Sequence, residues 1–334
     1  MKNFINDIPK AELHLHIEGT LEPELMFKLA TKNNIKLNYK TIEDIKKAYN
    51  FTNLQSFLDI YYSGAKVLIN EEDFYDLTFD YLKKCKQNNI IHTEIFFDPQ
   101  THTARGIKFE TVINGISKAL EDAKNEFSIS SKLIMCFLRH LSEEEAFDTL
   151  KEAIKFKDKI IGIGLDSSEI GNPPSKFKNV FSKAKNLGFK LVAHAGEEAG
   201  FEYINDALDL LNVDRIDHGV QAINNNKLMQ RLKDNQIALT VCPLSNTKLK
   251  VFEDMKEHNI KQMLEYGLNV TVNSDDPSYF GGYLNDNFHA ISNNLNLSKE
   301  NIIKLVKNSF NSSFISNEQK AKFINIVDEF IKNN

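Results

Sequence analysis

The stretch IIGIGLDSSEIGNPPSKFKNVFSKAKNLGFKLVAHAGEE, from Ile160 to Glu198, contains one complete strand–helix–strand repeat. The runs Ile160–Leu165 and Lys190–Ala193 are dense in Ile, Val and Leu, which predicts strands buried on both faces. Between them, Lys176–Leu187 carries apolar residues three and four positions apart, a spacing typical of an amphipathic helix. The stretch therefore predicts two parallel strands joined by a crossover helix.

The same alternation extends along the chain on both sides of this repeat. We predict strands at Glu12–Ile17, His92–Phe97, Lys132–Leu138, Ile160–Leu165, Lys190–Ala193, Arg215–His218, Ala238–Val241 and Asn269–Asn273. We predict helices between them at Phe109–Phe127, Glu143–Phe156, Lys176–Leu187, Tyr203–Leu211, Lys227–Lys233 and His258–Tyr266. Strand and helix alternating eight times is the signature of an α/β fold of the (β/α)8 type, the TIM barrel.

The alternation is broken once, after the first predicted strand, by a long helical insertion. Its helices are predicted at Pro23–Asn33, Thr41–Tyr49, Leu54–Leu68 and Glu71–Asn88. An insertion at this point belongs to the C-terminal face of a barrel, where active sites lie. We expect residues of about 21–90 either to cover the site as a lid or to form a stabilising cap without a gating role. Because no linker or internal repeat is visible, we predict a single domain over residues 1–334.

Composition and charge argue against several classes of protein. The net charge of −5 disfavours a nucleic-acid-binding surface, which is usually basic. No apolar run approaches the roughly 20 residues that a membrane helix needs, and the N-terminus shows no secretory signal. The three distant cysteines, Cys85, Cys136 and Cys242, fit reduced thiols in a cytoplasmic protein. We expect no nucleic-acid or membrane partner, and the sequence leaves the oligomeric state open.

Histidines and aspartates lie at several of the predicted strand ends. His14 and His16 are two positions apart at the end of the first strand, so both imidazoles face the same side. His194 ends the fifth strand, and Asp275 follows the eighth. Taken alone, the two histidines are better explained as a hydrogen-bonded pair, and the Asp-Asp-Pro after the eighth strand as a helix N-cap followed by proline. A barrel brings these ends into one ring, so together they predict a metal site. Imidazole and carboxylate ligands without thiolate favour zinc, with iron and manganese as alternatives.

Three further polar residues at the strand ends suggest a reaction. A zinc ion with an open coordination position lowers the pKa of bound water towards neutrality. His218 could orient that water or accept its proton, and Glu197 could protonate a ring nitrogen of the substrate. Asp276 could hold another substrate nitrogen, while the neighbouring Glu198 leaves open which glutamate points inward. These roles suit hydrolytic attack on a heteroaromatic carbon.

Five segments form a specific combination of motifs, spaced from residue 12 to beyond residue 270. They are ELHLHIEGT (Glu12–Thr20), HAGEE (His194–Glu198), RIDHGV (Arg215–Val220), VCPLSN (Val241–Asn246) and NSDDP (Asn273–Pro277). The combination resembles the adenosine/adenine deaminase family of the amidohydrolase superfamily. The resemblance implies one zinc ion per subunit, held by His14, His16, His194 and Asp275. It also implies that Glu197 protonates N1 of a purine, His218 orients the attacking water and Asp276 bonds to N7.

Within that family the sequence is more similar to adenine deaminases than to adenosine deaminases. The distinguishing stretches are FFDPQTHTARGI (Phe96–Ile107), GLDSSEIGNPPSKF (Gly164–Phe177), CPLSNTKLKVF (Cys242–Phe252) and DDPSYFGGY (Asp275–Tyr283). The resemblance implies that Ser167 and Glu169 border the purine, and that the enzyme converts adenine to hypoxanthine and ammonia in purine salvage. Beyond the second strand, Gln100, His102 and Arg105 either shape the pocket or belong to a surface loop.

The sequence is compatible with several alternative functions. The first is adenosine deaminase, and the second is a deaminase of N6-substituted adenines with a roomier pocket. A dinuclear hydrolase on the same barrel would be expected to carry a bridging Lys on the fourth strand, where Ile160–Asp166 has none. A non-enzymatic binding protein would be expected to have lost one of the candidate ligands or acid–base residues. The cytidine-type zinc deaminases are excluded because their Pro-Cys-x-x-Cys motif is absent.

Overall fold

The computed structural model describes residues 1–49, 51 and 53–334. Its strands form one eight-stranded parallel sheet in which each strand pairs with the next along the chain. The strands are β1 (Lys10–Glu12), β2 (Ile90–Phe97), β3 (Ser130–Leu138), β4 (Ile160–Asp166), β5 (Lys190–Ala195), β6 (Arg215–His218), β7 (Ala238–Val241) and β8 (Asn269–Val272). A parallel bridge between Leu15 and Asp275 links the two ends of the sheet. The predicted TIM barrel is therefore confirmed.

Helices surround the barrel and fill the long connection after β1. The first five are α1 (Lys2–Asp7), α2 (Pro23–Lys32), α3 (Ile42–Ala48), α4 (Leu54–Ala65) and α5 (Glu71–Gln87). The next six are α6 (Pro99–Thr103), α7 (Phe109–Phe127), α8 (Glu143–Ile154), α9 (Lys178–Asn186), α10 (Phe201–Asp206) and α11 (Asn226–Asp234). The last six are α12 (Pro243–Lys248), α13 (Ile260–Tyr266), α14 (Pro277–Phe280), α15 (Leu284–Leu295), α16 (Lys299–Ser312) and α17 (Asn317–Asn333). Within the described residues, no helix is both long and apolar enough to span a membrane.

Local sequence explains where these elements begin and which face they bury. In α7, Val112, Ile113, Ile116 and Ala119 recur at helical spacing and are fully buried, so this helix lies against the barrel with one apolar stripe. α8 begins after Ser142, whose side chain accepts the backbone N–H of Glu145 in a capping box. Strand residues are almost entirely buried because helices cover the outside of the sheet and side chains fill its inside.

The first strand differs from the prediction. The expected strand Glu12–Ile17 is replaced by a shorter β1 that starts at Lys10, followed by isolated bridges at Leu15 and His16. The physical reason lies at Leu13, whose N–H donates to the side-chain oxygen of Asn273 at 2.8 Å instead of to a backbone carbonyl. The ladder is therefore interrupted between the strand and the two histidines, although the chain continues in the same direction.

The insertion after β1 reaches the mouth of the barrel through α4. The hydroxyl of Tyr61 donates to Asp98, which follows β2, at 3.2 Å. The hydroxyl of Tyr62 lies 2.9 Å from that of Ser167, which follows β4. The far end of α4 is held by Arg105, whose guanidinium donates to the carbonyls of residues 65, 66 and 68. The helix therefore lies across the C-terminal ends of the strands.

Candidate active site

Four of the side chains predicted to bind metal lie together at the C-terminal end of the barrel. His14 Nε2 is 3.2 Å from Asp275 Oδ1, and His16 Nε2 is 3.5 Å from the same oxygen. His16 Nε2 is also 3.1 Å from His194 Nε2. Ligands at about 2.0–2.1 Å from a tetrahedral metal are themselves separated by about 3.3 Å. The separations between these donor atoms are therefore of the size that one metal ion requires.

The hydrogen bonds around His14 determine which of its nitrogens is free. Its Nδ1 lies 2.9 Å from the Thr240 hydroxyl, and that hydroxyl donates to Asp217 at 2.8 Å. Because the Thr240 proton goes to Asp217, His14 must donate its Nδ1 proton and keep a lone pair on Nε2. That buried Nε2 has no hydrogen-bond partner among the described atoms and faces an oxygen of Asp275. Two lone pairs in contact repel each other unless a cation lies between them, so the donor set fits a metal.

His218 lies in the same cluster as the predicted ligands. One nitrogen each from His14, His194 and His218 and one oxygen of Asp275 all lie within 4.8 Å of one another. His16 forms an overlapping group with Asp275 and Asp276. The geometry therefore brings all four histidines to one point, and it does not separate His16 from His218 as the ligand. Burial lowers the pKa of His194 and His218, which keeps both imidazoles neutral and able to coordinate.

Glu197 points into the cavity beside this cluster, whereas Glu198 lies outside the cavity wall. The Oε2 atom of Glu197 is 3.6 Å from His218 Nε2, and its Oε1 atom has no hydrogen-bond partner among the described atoms. Burial first, and then the nearby charge of Asp275, raise the pKa of Glu197 well above that of an exposed glutamate. A carboxyl group that keeps its proton near neutral pH is suited to act as an acid.

Glu169 supports the turn that carries Glu197. One of its carboxylate oxygens accepts the N–H of Gly196 at 2.6 Å, and the other accepts those of Glu197, Glu198 and Ala199 at 2.9–3.1 Å. The sequence led us to expect Glu169 at the border of the purine. In the structure it lies behind the cavity wall instead, because both of its oxygens are engaged by the turn after β5. Ser167 does line the cavity, with its hydroxyl bonded to Tyr62 and His140.

Asp276 reaches the cavity from the first turn of α14. It is the N-cap of that helix and Pro277 is the first residue, yet its side chain makes no capping bond, and its Oδ1 is unpartnered among the described atoms. Burial and the adjacent Asp275 raise the pKa of Asp276 well above its usual range. The carboxyl packs directly on Gly19: a Cβ at position 19 would lie 1.9 Å from Asp276 Oδ1. Asp276 therefore occupies space that only a glycine at position 19 leaves free.

These groups surround a small cavity that is roofed by side chains of α4. It is lined by His16, Leu54, Phe57, Leu58, Tyr61, Tyr62, Asp98, Asp166, Ser167, His194, Glu197, His218, Leu249, Asp275, Asp276 and Phe280. The polar groups of this lining lie at the ends of the strands, and apolar and aromatic side chains of α4 lie over them. The arrangement suits hydrolysis of a small, flat, polar ring.

Two carboxyl groups of this lining were missed by sequence reasoning. Asp98 follows β2 and Asp166 ends β4, and the two carboxyl groups are close enough for each to affect the pKa of the other. Burial first, and then the neighbouring Asp98, raise the pKa of Asp166 well above its usual range, which favours a proton on that carboxyl. Asp166 Oδ2 lies 3.5 Å from Nδ1 of His16. Their position at strand ends was the available signal, since the same rule had selected His14 and Asp275.

The residues beyond β2 prove to be supports of the site, with Gln100 and His102 buried and Arg105 partly exposed. Gln100 accepts the backbone N–H of Leu138 at 2.9 Å. His102 lies between Glu18, at 2.9 Å, and Arg105, at 2.8 Å. Burial lowers the pKa of His102 to about 3, so it is a neutral link in this chain. None of these three residues lines the cavity; they tie the segment after β2 to β3, to Glu18 and to the end of α4.

Comparison with known proteins gives consistent matches along the whole chain. The family model described as adenosine deaminase matches residues 9–330. An adenine deaminase of Psychrobacter cryohalolentis is 67% identical over 331 residues, covering 99% of this chain and 100% of that protein. An adenine deaminase of Acinetobacter baylyi is 62% identical over 326 residues, covering 98% of both.

Solved structures match the fold as well. The crystal structure of an adenine deaminase from Arthrobacter aurescens has a TM-score of 0.96 and 47% sequence identity, covering 97% of this chain and 99% of that one. An amidohydrolase from Burkholderia ambifaria, solved with bound Zn, has a TM-score of 0.90 and covers 100% of this chain and 95% of that one. Its sequence identity is 23%, so this second likeness concerns the fold alone.

Proposed function

The chain belongs to the adenosine deaminase family, and from this premise we propose that it is a zinc-dependent adenine deaminase. The reaction consumes one adenine and one water and releases hypoxanthine and ammonia. Relatives named adenine deaminase that are 57–67% identical and aligned along nearly the whole chain support adenine as the substrate. The observation in the structure that carries the proposal is the convergence of a metal-type donor set, a protonated carboxyl and a second carboxyl on one small cavity.

The metal would be held by the four ligands that the sequence predicts. They are His14, His16, His194 and Asp275, with one zinc ion per chain. Asp217 and Thr240 support this set from behind, because they fix His14 with its Nε2 lone pair free. When bound, zinc would lower the pKa of a water molecule and so supply a nucleophile near neutral pH.

Glu197 and Asp276 would act directly on the purine. Glu197 donates a proton to N1, which makes C6 more susceptible to attack by water; the C6–N bond then breaks and the amino group leaves as ammonia. The raised pKa of Glu197 supports this role because the carboxyl must carry a proton before the reaction. Asp276, whose pKa is also raised, donates a hydrogen bond to N7, which carries no hydrogen when N9 does.

His218 would serve the nucleophile rather than the ring. Its Nε2 lies between Glu197, at 3.6 Å, and Asp275, at 3.9 Å. Its backbone has a φ of 64°, a left-handed conformation that is uncommon outside glycine and that directs the imidazole into the cavity from the end of β6. A neutral imidazole in this position orients the attacking water and accepts its proton.

A substrate panel tests the choice of adenine. We would measure ammonia release from adenine, adenosine and N6-methyladenine and compare kcat/KM for the three. Adenine should be used with the highest kcat/KM, because Phe57, Leu58 and Tyr61 of α4 leave little room beyond a free base. A clear preference for adenosine would overturn the proposed substrate, and comparable use of N6-methyladenine would favour an enzyme for N6-substituted bases.

Metal analysis tests the cofactor. Elemental analysis of the purified protein should give about one zinc per chain, and chelation should abolish turnover until zinc is restored. Two metals per chain would support the dinuclear alternative instead.

For the physiological role we propose purine salvage in the cytoplasm. A purine-requiring bacterium without its own adenine deaminase should grow on adenine as sole purine source only when it expresses this chain, and no growth would contradict that role.

A further inference from the structure

One wall of the cavity has no task in the mechanism described so far. Glu197, His218 and Asp276 follow β5, β6 and β8, whereas Asp98 and Asp166 stand at the ends of β2 and β4. Because the strands follow one another in order around the barrel, β2 lies opposite β6, and β4 lies opposite β8. The two unassigned carboxyl groups therefore face the catalytic side from across the cavity.

The two carboxyl groups differ in what already holds them. Asp166 Oδ2 lies 3.5 Å from Nδ1 of His16, so it faces an imidazole of the metal cluster. Asp98 is fixed on its other side, since its Oδ2 accepts the hydroxyl of Tyr61 at 3.2 Å and its N–H donates to Glu18 at 3.2 Å. Its Oδ1 is 4.0 Å from His16, and no described atom bonds to it although the residue is only 3% exposed. Asp98 thus presents one free acceptor to the cavity.

The shape of a purine decides which of its atoms meets this acceptor. With C6 at the metal, N1 at Glu197 and N7 at Asp276, the edge that carries N3 and N9 faces the opposite wall. In a free base N9 carries a hydrogen, whereas in a nucleoside it carries a sugar carbon. The roof above Asp98 is apolar at Leu54, Phe57 and Leu58, so these side chains offer the N9 edge no hydrogen-bond partner that competes with the carboxylate.

We propose that Asp98 Oδ1 accepts a hydrogen bond from the N9–H of the bound base, and that this bond makes the enzyme select free purine bases over N9-substituted purines. The inference rests on the proposed function, because it uses the same orientation of the purine. An N9-substituted purine would leave a buried carboxylate unpaired, and sites built to pair a substrate N–H reject analogues that lack it. With Asp276 at N7, Asp98 also selects the tautomer that carries its hydrogen on N9.

The test compares adenine with 9-methyladenine in the zinc-loaded enzyme and in Asp98→Ala. The variant removes the acceptor and opens space beside N9. We expect kcat/KM for adenine to fall by about 10- to 100-fold, the usual loss for a hydrogen bond to a charged group, while kcat/KM for 9-methyladenine does not fall. The ratio of kcat/KM for adenine to kcat/KM for 9-methyladenine should therefore be at least tenfold lower in the variant than in the wild type. Equal loss for both substrates would overturn the proposal.

A binding measurement and a matched control separate specificity from general damage. The dissociation constant of hypoxanthine, measured by calorimetry, should rise in Asp98→Ala while that of 9-methylhypoxanthine does not, at unchanged zinc content. The control is Asp73→Ala, which removes another buried carboxylate, one that accepts the N–H groups of Ile69 and Asn70 far from the cavity. It should lower stability and leave the substrate ratio unchanged.

A second variant covers the case in which Asp98→Ala loses its metal or does not fold. Asp98→Asn keeps the shape of the side chain and replaces the carboxylate with a neutral acceptor. The ratio of kcat/KM for adenine to that for 9-methyladenine should therefore fall by about threefold to tenfold. An unchanged ratio in this variant would also overturn the proposal. This outcome differs from failure of the proposed function. If the wild-type enzyme does not deaminate adenine, the proposed function is refuted. If it does, but substitution of Asp98 does not change the ratio of the two kcat/KM values, only the role of Asp98 is refuted.

Discussion

The barrel contains two buried polar layers that are built on opposite principles. In the lower layer, Arg215 donates to Glu94 at 2.6 Å and to the carbonyl of Leu13 at 2.9 Å. Glu94 also accepts the backbone N–H of Phe314, and Arg215 lies over the ring of that residue. In the upper layer, at the cavity, His14, Glu197 and other polar side chains have atoms with no partner among the described residues.

This difference shows how the structure divides stability from function. A buried polar group without a partner costs about 1–3 kcal/mol, so a folded chain tolerates several of them in one place only if something else binds there. The lower layer, in which only Nε of Arg215 lacks a hydrogen bond among the described atoms, holds strands together, whereas metal, water and substrate would complete the open upper layer. Changes in the upper layer should therefore affect turnover more than stability, and changes in the lower layer should do the reverse.

The largest effect is expected from Glu197→Gln. Loss of the proton donor should lower kcat by about 10²–10⁴-fold, a typical contribution of general acid catalysis. Zinc content and the midpoint of urea unfolding should remain close to wild type, because Glu197 Oε1 supports no other described residue. Near-normal turnover would contradict the acid role, and loss of zinc would contradict the division between the layers.

Glu94→Gln tests the lower layer. It removes the nearer of two carboxylates beside the buried Arg215 guanidinium and leaves Asp217, 3.6 Å from Nε; breaking a buried pair typically costs about 3–5 kcal/mol, and we expect a loss at the lower end of this range. Urea unfolding should show this loss while kcat of the folded enzyme stays near wild type. Lys155→Ala is the matched control, because it removes an exposed ion pair with Glu152 and should change stability by less than about 1 kcal/mol. If Glu94→Gln instead lowered kcat strongly and left stability at the wild-type level, the assignment of the lower layer to stability would be wrong.

A smaller effect is expected from Glu169→Gln, at the boundary of the two layers. This carboxylate accepts four consecutive backbone N–H groups of the turn that carries Glu197. Since an amide can accept fewer of them, the turn should loosen, and kcat should fall by about tenfold with little change in KM. Glu202→Gln, an exposed change just beyond that turn, should have no effect. A raised KM at unchanged kcat would instead support direct contact of Glu169 with the purine.

The smallest effect at neutral pH is expected at His258, outside the cavity, where stability changes only on acidification. Its Nδ1 accepts the N–H of Ile260 and its Nε2 contacts Asn246, and burial lowers its pKa to about 3. The unfolded chain, with a pKa of about 6.5 at this residue, binds more protons between pH 3 and 6.5. Stability is therefore lost as the pH falls through this window, by up to about 1.4 kcal/mol per pH unit.

Comparing wild type with His258→Asn isolates this contribution. The substitution removes the titrating group and keeps a side chain able to accept the N–H of Ile260. Urea unfolding between pH 4 and 7 should show a shallower pH dependence in the variant, with kcat at pH 7 unchanged. Identical slopes for the two proteins would show that His258 is not neutral in the folded state.

The sequence predicted more of the upper layer than of its supports. Motifs around His14, His194 and Asp275 placed the donor set, because barrel topology alone brings strand ends together. The single-domain organisation stays a prediction. The task of Glu169 was not predictable, since it depends on where the turn after β5 lies relative to the end of β4. The roof formed by α4 depends in the same way on packing between segments far apart in the chain.

Asp98 and Asp166 show a different limit. Both stand at strand ends, yet only a motif match had distinguished one strand-end carboxylate from another, and neither residue lies in the five most specific motifs. The barrel brings together these two residues, which are 68 positions apart, and no local pattern predicts such a pairing. The burial of Asp98 and Asp166 and their proximity to each other depend on the complete fold.

Gly19 has a consequence at the level of the gene. Every amino acid other than glycine would place a carbon atom 1.9 Å from the oxygen of Asp276, a separation that no rearrangement of the new side chain can relieve. Any base change at the first or second position of this codon replaces glycine or stops translation, while all third-position changes are silent. A library randomised at this codon and selected for growth on adenine should therefore return the four glycine codons.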